Sequence, residues 1–277
     1  MTNPRRYVII YIQLGGNMKK IVLFDMDGTL TPARQPITWD MIRKLIDLQK
    51  SGFEIGIVTG SDLEYIRQQC ESFFSHIALD KTTIHLMPCN GTKYYRIHNG
   101  EFSKVYEKNM REELGESNWR RMIRIITNLQ LSLINGNRHI PITGHFINYR
   151  GSTLNWCPIG RQASSSDRES WVLWDKHGWI RHKWLKTIRE EFDNSGLKNV
   201  VIKMGGDTSF DIYPEGWDKT YAFKIFDKYD KIYFVGDRCG PNGNDREAYQ
   251  LAGDLGFATK CPKQTIDIID KIITEDK

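Results

Sequence analysis

Short apolar runs that end in small polar or acidic residues form the first pattern of this sequence. The runs Ile21 to Phe24, Phe53 to Val58 and Lys231 to Val235 have the length and composition of strands buried on both faces. Helical spacing of apolar residues follows the first two runs, at about 38–52 and 61–70. Strands that alternate with helices in this way predict a parallel sheet with right-handed crossovers.

The middle of the chain has a different pattern. The Asn-Gly pairs that begin at Asn90 and Asn99 are hairpin signals. Short strand-like segments follow, with helical patterns at about 117–131 and 179–194. These features predict an antiparallel α+β module inserted into the parallel domain.

The expected fold is therefore α/β, with a Rossmann-like parallel-sheet core domain and an inserted α+β domain. The core is expected to be discontinuous, from residues 18–85 and 215–277, with the insertion at 86–214. Residues 1–17 are predicted to be an N-terminal extension, with Met18 as the natural start.

Composition narrows the class of protein. The 277 residues carry a formal net charge of only +5 and no long basic block, so nucleic-acid binding is not indicated. No apolar run approaches the roughly 20 residues that a membrane span needs. The five cysteines form no C-x-x-C pair, which fits a reducing cytosol. We therefore expect a cytoplasmic protein that binds neither nucleic acid nor membrane.

Candidate chemistry lies where the predicted strands end. Asp-x-Asp-Gly after the first strand can equally be a surface turn, because Asp and Gly are common turn residues. However, the carboxyl ends of parallel strands meet at one edge of the sheet, where α/β proteins bind ligands. The residues expected at that edge are Asp25, Asp27, Thr59, Lys219, Asp237 and Asp245.

These residue types suit phosphoryl transfer. Mg²⁺ prefers carboxylate oxygens and retains water and substrate phosphate as ligands. A carboxylate can also accept a phosphoryl group and form an aspartyl-phosphate. Lysine and hydroxyl groups can neutralise or hold the phosphoryl oxygens.

The set resembles the haloacid dehalogenase superfamily of phosphotransferases, whose pattern is D-x-D-G-T, then Ser or Thr, then Lys, then G-D…N-D. The resemblance implies that Asp25 is the nucleophile and that Asp27 is the general acid/base. It implies that Thr59 and Lys219 hold the phosphoryl group. The implied Mg²⁺ ligands are Asp25, Asp27 through its backbone carbonyl, Asp237, Asn244 and Asp245.

Longer stretches at 154–161, 205–221 and 236–245 resemble the eukaryotic-type phosphomannomutases. The resemblance implies that the insertion is a substrate-binding cap and that caps can pair in a homodimer. It also implies Mg²⁺ as cofactor and a hexose 1,6-bisphosphate as activator. The substrate would be a hexose phosphate of mannose or glucose. Its implied contacts are Arg34, Arg150, Arg161, Ser209 and Asp211.

Two positions depart from the mutase pattern. Thr143 or its neighbours stand where the family has an arginine that contacts phosphate, and His145 is the nearest candidate substitute. Thr59 stands where mutases have glycine and phosphatases have Thr or Ser. The alternative function is therefore a sugar-phosphate phosphatase of the same superfamily. A binding protein without catalysis is disfavoured by the complete set of acids and lysine.

Overall fold

A seven-stranded sheet, described in a computed structural model, forms the core. The structure describes residues 18–77, 83–136 and 140–276, so the predicted extension at 1–17 lies outside the described residues. The core strands stand in the order β11-β10-β1-β2-β3-β4-β5, and the first five in this order are parallel. Their bounds are β1 Lys20–Phe24, β2 Phe53–Val58, β3 Thr83–Met87, β4 Lys93–His98, β5 Glu101–Glu107, β10 Lys231–Gly236 and β11 Gly256–Ala258.

Helices cover both faces of this sheet. The central strand β1 is fully buried from Ile21 to Phe24, because strands pair on both of its edges and helices pack above and below. The chain returns from the inserted domain to the core through a 3₁₀ helix, Lys219–Phe226. The α-helices of the core are α1 Trp39–Lys50, α2 Leu63–Ile77, α6 Arg246–Ala252 and α7 Pro262–Glu275.

The inserted domain has a four-stranded antiparallel sheet in the order β6-β7-β9-β8. Its strands are β6 Ile147–Tyr149, β7 Leu154–Trp156, β8 Val200–Gly205 and β9 Ser209–Pro214, and its helices are α3 Met110–Gly136, α4 Ser165–Gly178 and α5 Ile180–Asn194. The stacked rings of Trp156 and Phe210 lie in the buried cluster between this sheet and its helices. The α/β fold with a Rossmann-like parallel-sheet core is thus confirmed.

The boundary between the core and the inserted domain, predicted at residue 86, lies further along the chain. The hairpin signal at Asn99-Gly100 is correct, since both residues have positive φ between β4 and β5. However, β4 pairs with β3 of the core sheet, so the core sheet continues to Glu107 before the chain enters α3. An antiparallel hairpin can extend a mostly parallel sheet at its edge, and the sequence pattern alone did not distinguish that arrangement from a separate module.

Within the described ranges, no helix combines the length and the apolar character needed to cross a membrane.

Candidate active site

The loop after β1 presents Asp25 at the carboxyl edge of the core sheet. The Asp25 amide donates to the carbonyl of Val235 at 2.9 Å, which fixes the strand end against β10. The carbonyl of Met26 then accepts from three following amides, and Gly28 has φ +83. Gly28 suits this tight turn because it adopts positive φ without steric cost.

Lys219 joins the acids of two separate loops. It is only 1% exposed, and its Nζ donates to Asp25 Oδ1 and, at 2.5 Å, to Asp245 Oδ1. Carboxylate oxygens of Asp25, Asp237 and Asp245 all lie within 4.8 Å of one another. The structure therefore brings together four residues that the sequence placed at this edge.

This cluster has a surplus of negative charge. Burial, followed by the charge of Asp245, raises the pKa of Asp25 to about 8, although Lys219 opposes the shift. Burial and Asp245 likewise raise the pKa of Asp237 to about 6. Burial lowers the pKa of Lys219, but Asp245 and Asp25 together raise it above its ordinary value. Three ionised carboxylates and one lysine sum to a formal charge of −2, which one divalent cation would balance.

The surroundings of the cluster also fit a hard cation. The Asn244 Oδ1 is buried and has no hydrogen-bond partner, and this residue directly precedes Asp245. A Cβ atom at position 28 would lie 2.5 Å from Asp237 Oδ2, so any residue other than glycine at this position would displace the Asp237 carboxylate. Oxygen donors of this kind are the ligands that Mg²⁺ takes in proteins.

The carboxylate of Asp27 lies apart from this acidic cluster. Its Oδ1 accepts from the Tyr65 hydroxyl at 2.8 Å and from the Arg34 amide at 3.0 Å. Its Oδ2 accepts from the same tyrosine hydroxyl at 3.1 Å. The side chain is therefore directed to α2 and to the loop after β1. The metal role expected of Asp27 through its backbone carbonyl stays a prediction.

Two buried threonines follow the ends of β1 and β2. Thr59 follows β2, the strand beside β1, and its Oγ1 accepts from the Ser61 amide at 3.2 Å. Thr29, which the sequence analysis did not assign, donates from Oγ1 to Asp25 Oδ2 at 3.4 Å. Its position in the D-x-D-G-T pattern was the available signal. The phosphoryl contact expected of Thr59 stays a prediction.

The cap contributes a linked polar network. Arg161 Nη1 donates to Asn155 Oδ1 at 3.0 Å. Asn155 Nδ2 donates in turn to Ser209 Oγ at 2.9 Å and to Asp211 Oδ1 at 2.8 Å. Arg150 Nη1 pairs with Asp211 Oδ1 at 3.5 Å. The four predicted cap residues are thus joined through Asn155, which the sequence analysis did not assign.

Arg150 also connects the cap to the core. Its Nη1 donates to the carbonyl of Gly60, in the loop after β2, at 2.7 Å. The side chain is only 6% exposed. This contact places the cap network beside the loop that carries Thr59, so both domains border the same space.

Four arginines from the core and the cap lie close enough to influence one another's charge. Burial, followed by the charges of Arg150 and Arg34, lowers the pKa of Arg161. Burial and Arg34 also lower the pKa of Arg168. Arg168 is an unpredicted member of this group, and it donates to the Arg161 carbonyl at 2.8 Å. Clustered arginines that lower one another's pKa are typical of a site for a phosphate dianion.

Thr143, at the position where the mutase pattern has an arginine, carries no charge. Thr143 Oγ1 donates to the carbonyl of Ile159 at 2.9 Å. Two residues further on, the carbonyl of His145 accepts from the Arg161 amide at 3.3 Å. Both residues therefore support the backbone that leads to Arg161.

The chain is similar in sequence to proteins of one known family. A sequence model of the family described as "Eukaryotic phosphomannomutase" matches residues 41–275. A phosphomannomutase of Dendrobium officinale is 36% identical over 252 residues, which cover 89% of this chain and 91% of the relative. One of Drosophila melanogaster is 33% identical, covering 91% and 95%.

The fold is also similar to that of solved structures. A haloacid dehalogenase-like hydrolase from Bacteroides thetaiotaomicron superposes with a TM-score of 0.56 at 14% identity. The match covers 92% of this chain and 99% of that one, so it supports the fold of both domains. With the sequence matches over nine-tenths of the chain, this protein is an enzyme that belongs to the eukaryotic phosphomannomutase family.

Proposed function

We propose that this enzyme interconverts hexose 6-phosphate and hexose 1-phosphate, with mannose as the first sugar to test. The observation that carries the proposal is the position of the Asp25 carboxylate. It lies at the centre of a buried cluster of acids and lysine, in a space that the cap borders with arginines. Such a site provides an acceptor for a phosphoryl group and a second set of contacts for another phosphate.

The chain's own residues suggest how the reaction proceeds. Asp25 would attack phosphorus, forming an Asp25 O–P bond while the bond between phosphorus and the sugar oxygen breaks. In the other half-reaction a sugar hydroxyl would attack that phosphorus, and the Asp25 O–P bond would break. Asp27 would give its proton to the departing sugar oxygen and, in the return half-reaction, take a proton from the accepting hydroxyl. Lys219 would keep the Asp25 carboxylate oriented and reduce its negative charge.

Mg²⁺ held by Asp25, Asp237 and Asp245 would supply positive charge next to the phosphoryl oxygens. Asn244 and the backbone carbonyl of Asp27 are further candidates for this role. The surplus negative charge of the cluster supports the assignment, as does the unpartnered Asn244 oxygen.

The cap arginines, together with Arg34 of the core loop after β1, would hold the phosphate that is not reacting. Arg150, Arg161 and Arg34 supply positive charge, while Ser209 and Asp211 would bind sugar hydroxyls together with Asn155. A hexose 1,6-bisphosphate would then turn over between core and cap, so the cap must open and close.

The second candidate function is sugar-phosphate hydrolysis. Thr143, which carries no charge, favours it, because a weaker hold on the second phosphate lets the intermediate leave or lets water enter. The two functions share the Asp25 chemistry and differ in the acceptor.

One assay distinguishes them. Mannose 1-phosphate is supplied with catalytic glucose 1,6-bisphosphate and Mg²⁺, and mannose 6-phosphate and inorganic phosphate are measured together. A mutase forms the 6-phosphate in large excess over free phosphate. Release of phosphate without isomerisation would refute the mutase proposal and support the phosphatase.

A further inference from the structure

Tyr65 makes the closest side-chain contact to Asp27 among the described residues. Its hydroxyl lies 2.8 Å from Asp27 Oδ1 and 3.1 Å from Oδ2, while the ring is half-buried. The resemblance to phosphotransferases assigned no role to this residue. A hydrogen bond from a hydroxyl to a carboxylate is among the stronger ones that proteins make.

The start of α2 explains why Tyr65 reaches Asp27. Asp62 precedes the helix and accepts the Tyr65 amide on Oδ1 at 3.1 Å, so it caps the first turn. This helix N-cap fixes the backbone of Tyr65 directly after the loop that carries Thr59. The tyrosine ring then extends from the second strand-helix connection to the loop after β1.

A second donor, in the loop after β1, holds the same Asp27 carboxylate. The Arg34 amide donates to Asp27 Oδ1 at 3.0 Å, and Arg34 has φ +60. A non-glycine residue with positive φ carries backbone strain, which persists where the surrounding structure requires it. The carboxylate is therefore held between two fixed donors rather than free to rotate.

Tyr65 also lies towards the substrate space. Burial and the charge of Asp27 raise the pKa of its hydroxyl, while the charges of Arg34 and Arg161 oppose this shift. The hydroxyl that holds Asp27 is therefore close to one arginine of the core and one of the cap.

We propose that Tyr65 is a positioning residue, which holds the Asp27 carboxylate where it can exchange a proton with the sugar oxygen. This inference rests on the proposed function, since it takes Asp27 as the general acid/base. Misplacement of a catalytic group by about 1 Å can cost on the order of 100-fold in rate.

The test compares two tyrosine variants of the full-length enzyme. Tyr65→Phe removes only the hydroxyl. Tyr229→Phe is the matched control, because its hydroxyl also donates to a carboxylate, Glu54 Oε2 at 2.6 Å, and its ring is also half-buried. In the mutase assay with mannose 1-phosphate, we expect Tyr65→Phe to lower kcat about 10- to 100-fold.

The KM should change less than about twofold, because Tyr65 makes no contact that binding alone would require. Tyr229→Phe should leave both constants near those of the wild type. Equal kcat values for the two variants would overturn the inference. So would a loss that appears in KM alone.

A second measurement does not depend on activity. Unfolding of the wild type, Tyr65→Phe, Asp27→Asn and the double variant is followed in urea without metal. We expect the two changes to be coupled by at least about tenfold in the unfolding equilibrium constant, as for hydrogen bonds to charged groups. Coupling below about twofold would contradict the contact. A wild type without mutase or phosphatase activity would instead refute the proposed function.

Discussion

Replacement of Lys219 by methionine should destabilise the protein strongly, because it leaves buried acids without their counterion. Lys219 is 1% exposed and bonds to Asp25 and Asp245, whose side chains are 9% and 0% exposed. Removal of one partner of a buried ion pair costs about 3–5 kcal/mol. We expect the lower end at pH 7, because Asp25, with a pKa of about 8, can take up a proton.

The loss would be a large part of a typical total of about 5–15 kcal/mol. It should lower the melting temperature by about 6–12 °C, from about 2–4 °C for each kcal/mol in a chain of this size. Urea unfolding of metal-free protein measures it. Lys224→Met is the control, since Lys224 lies exposed on the same 3₁₀ helix.

A double variant tests the cause. Adding Asp25→Asn to Lys219→Met removes one of the carboxylates that the lysine neutralised, so it should recover part of the lost stability. Equal unfolding of the Lys219→Met and Lys224→Met proteins would refute the account of the cluster. So would an Asp25→Asn change that lowers the stability of Lys219→Met further.

Three further predictions concern charge. Metal-free protein should lose stability as pH rises from 4 to 8, because the pKa of Asp25 is raised to about 8 and the folded state therefore binds more protons than the unfolded state. Asp25 can contribute at most about 1.4 kcal/mol per pH unit to this loss. Urea midpoints across this range test the prediction, and a midpoint that rises with pH contradicts it. Arg238 Nη2 of the core bonds to Asp207 Oδ1 of the cap at 2.7 Å. Asp207→Asn should therefore open the cap and raise phosphate release relative to isomerisation, by up to about fivefold for an exposed ion pair; an unchanged ratio would contradict a role in closure. Thr143→Arg should increase isomerisation relative to phosphate release in the same assay, and a fall in that ratio would show that position 143 does not face phosphate.

The acidic cluster could be predicted from sequence because parallel strands carry their carboxyl ends to one edge. Asp25 is far in the chain from Asp237 and Asp245, but β1 and β10 are neighbours in the sheet. Lys219 follows a strand of the cap and enters the site through a 3₁₀ helix. Its inclusion therefore depended on the family pattern rather than on the strand argument.

Other site residues could not be predicted in this way. Tyr65 and Arg168 are polar residues near the starts of helices, and their roles depend on the direction in which each helix leaves its loop. Asn155 lies within a short, buried strand, and two of its partners, Ser209 and Asp211, come from the adjacent strand β9. Such contacts follow from the packing of separate segments, which periodicity and spacing do not specify.

The sequence did not predict that the β4–β5 hairpin belongs to the core sheet, for a related reason. Its turn signal was local and correct, but that signal does not determine whether β4 pairs with β3 of the core or with a strand of the inserted domain. Local turn geometry does not specify that partner.

The proposed reaction requires that Asp25 give a phosphoryl group to one position of the sugar and take one from the other position. Phosphorus NMR of mannose 1-phosphate with the enzyme, Mg²⁺ and catalytic glucose 1,6-bisphosphate tests it most directly. The account predicts that the 1-phosphate signal converts into that of the 6-phosphate with little free phosphate, and that Asp25→Asn abolishes the conversion in a folded protein. Conversion that persists in Asp25→Asn would contradict the account.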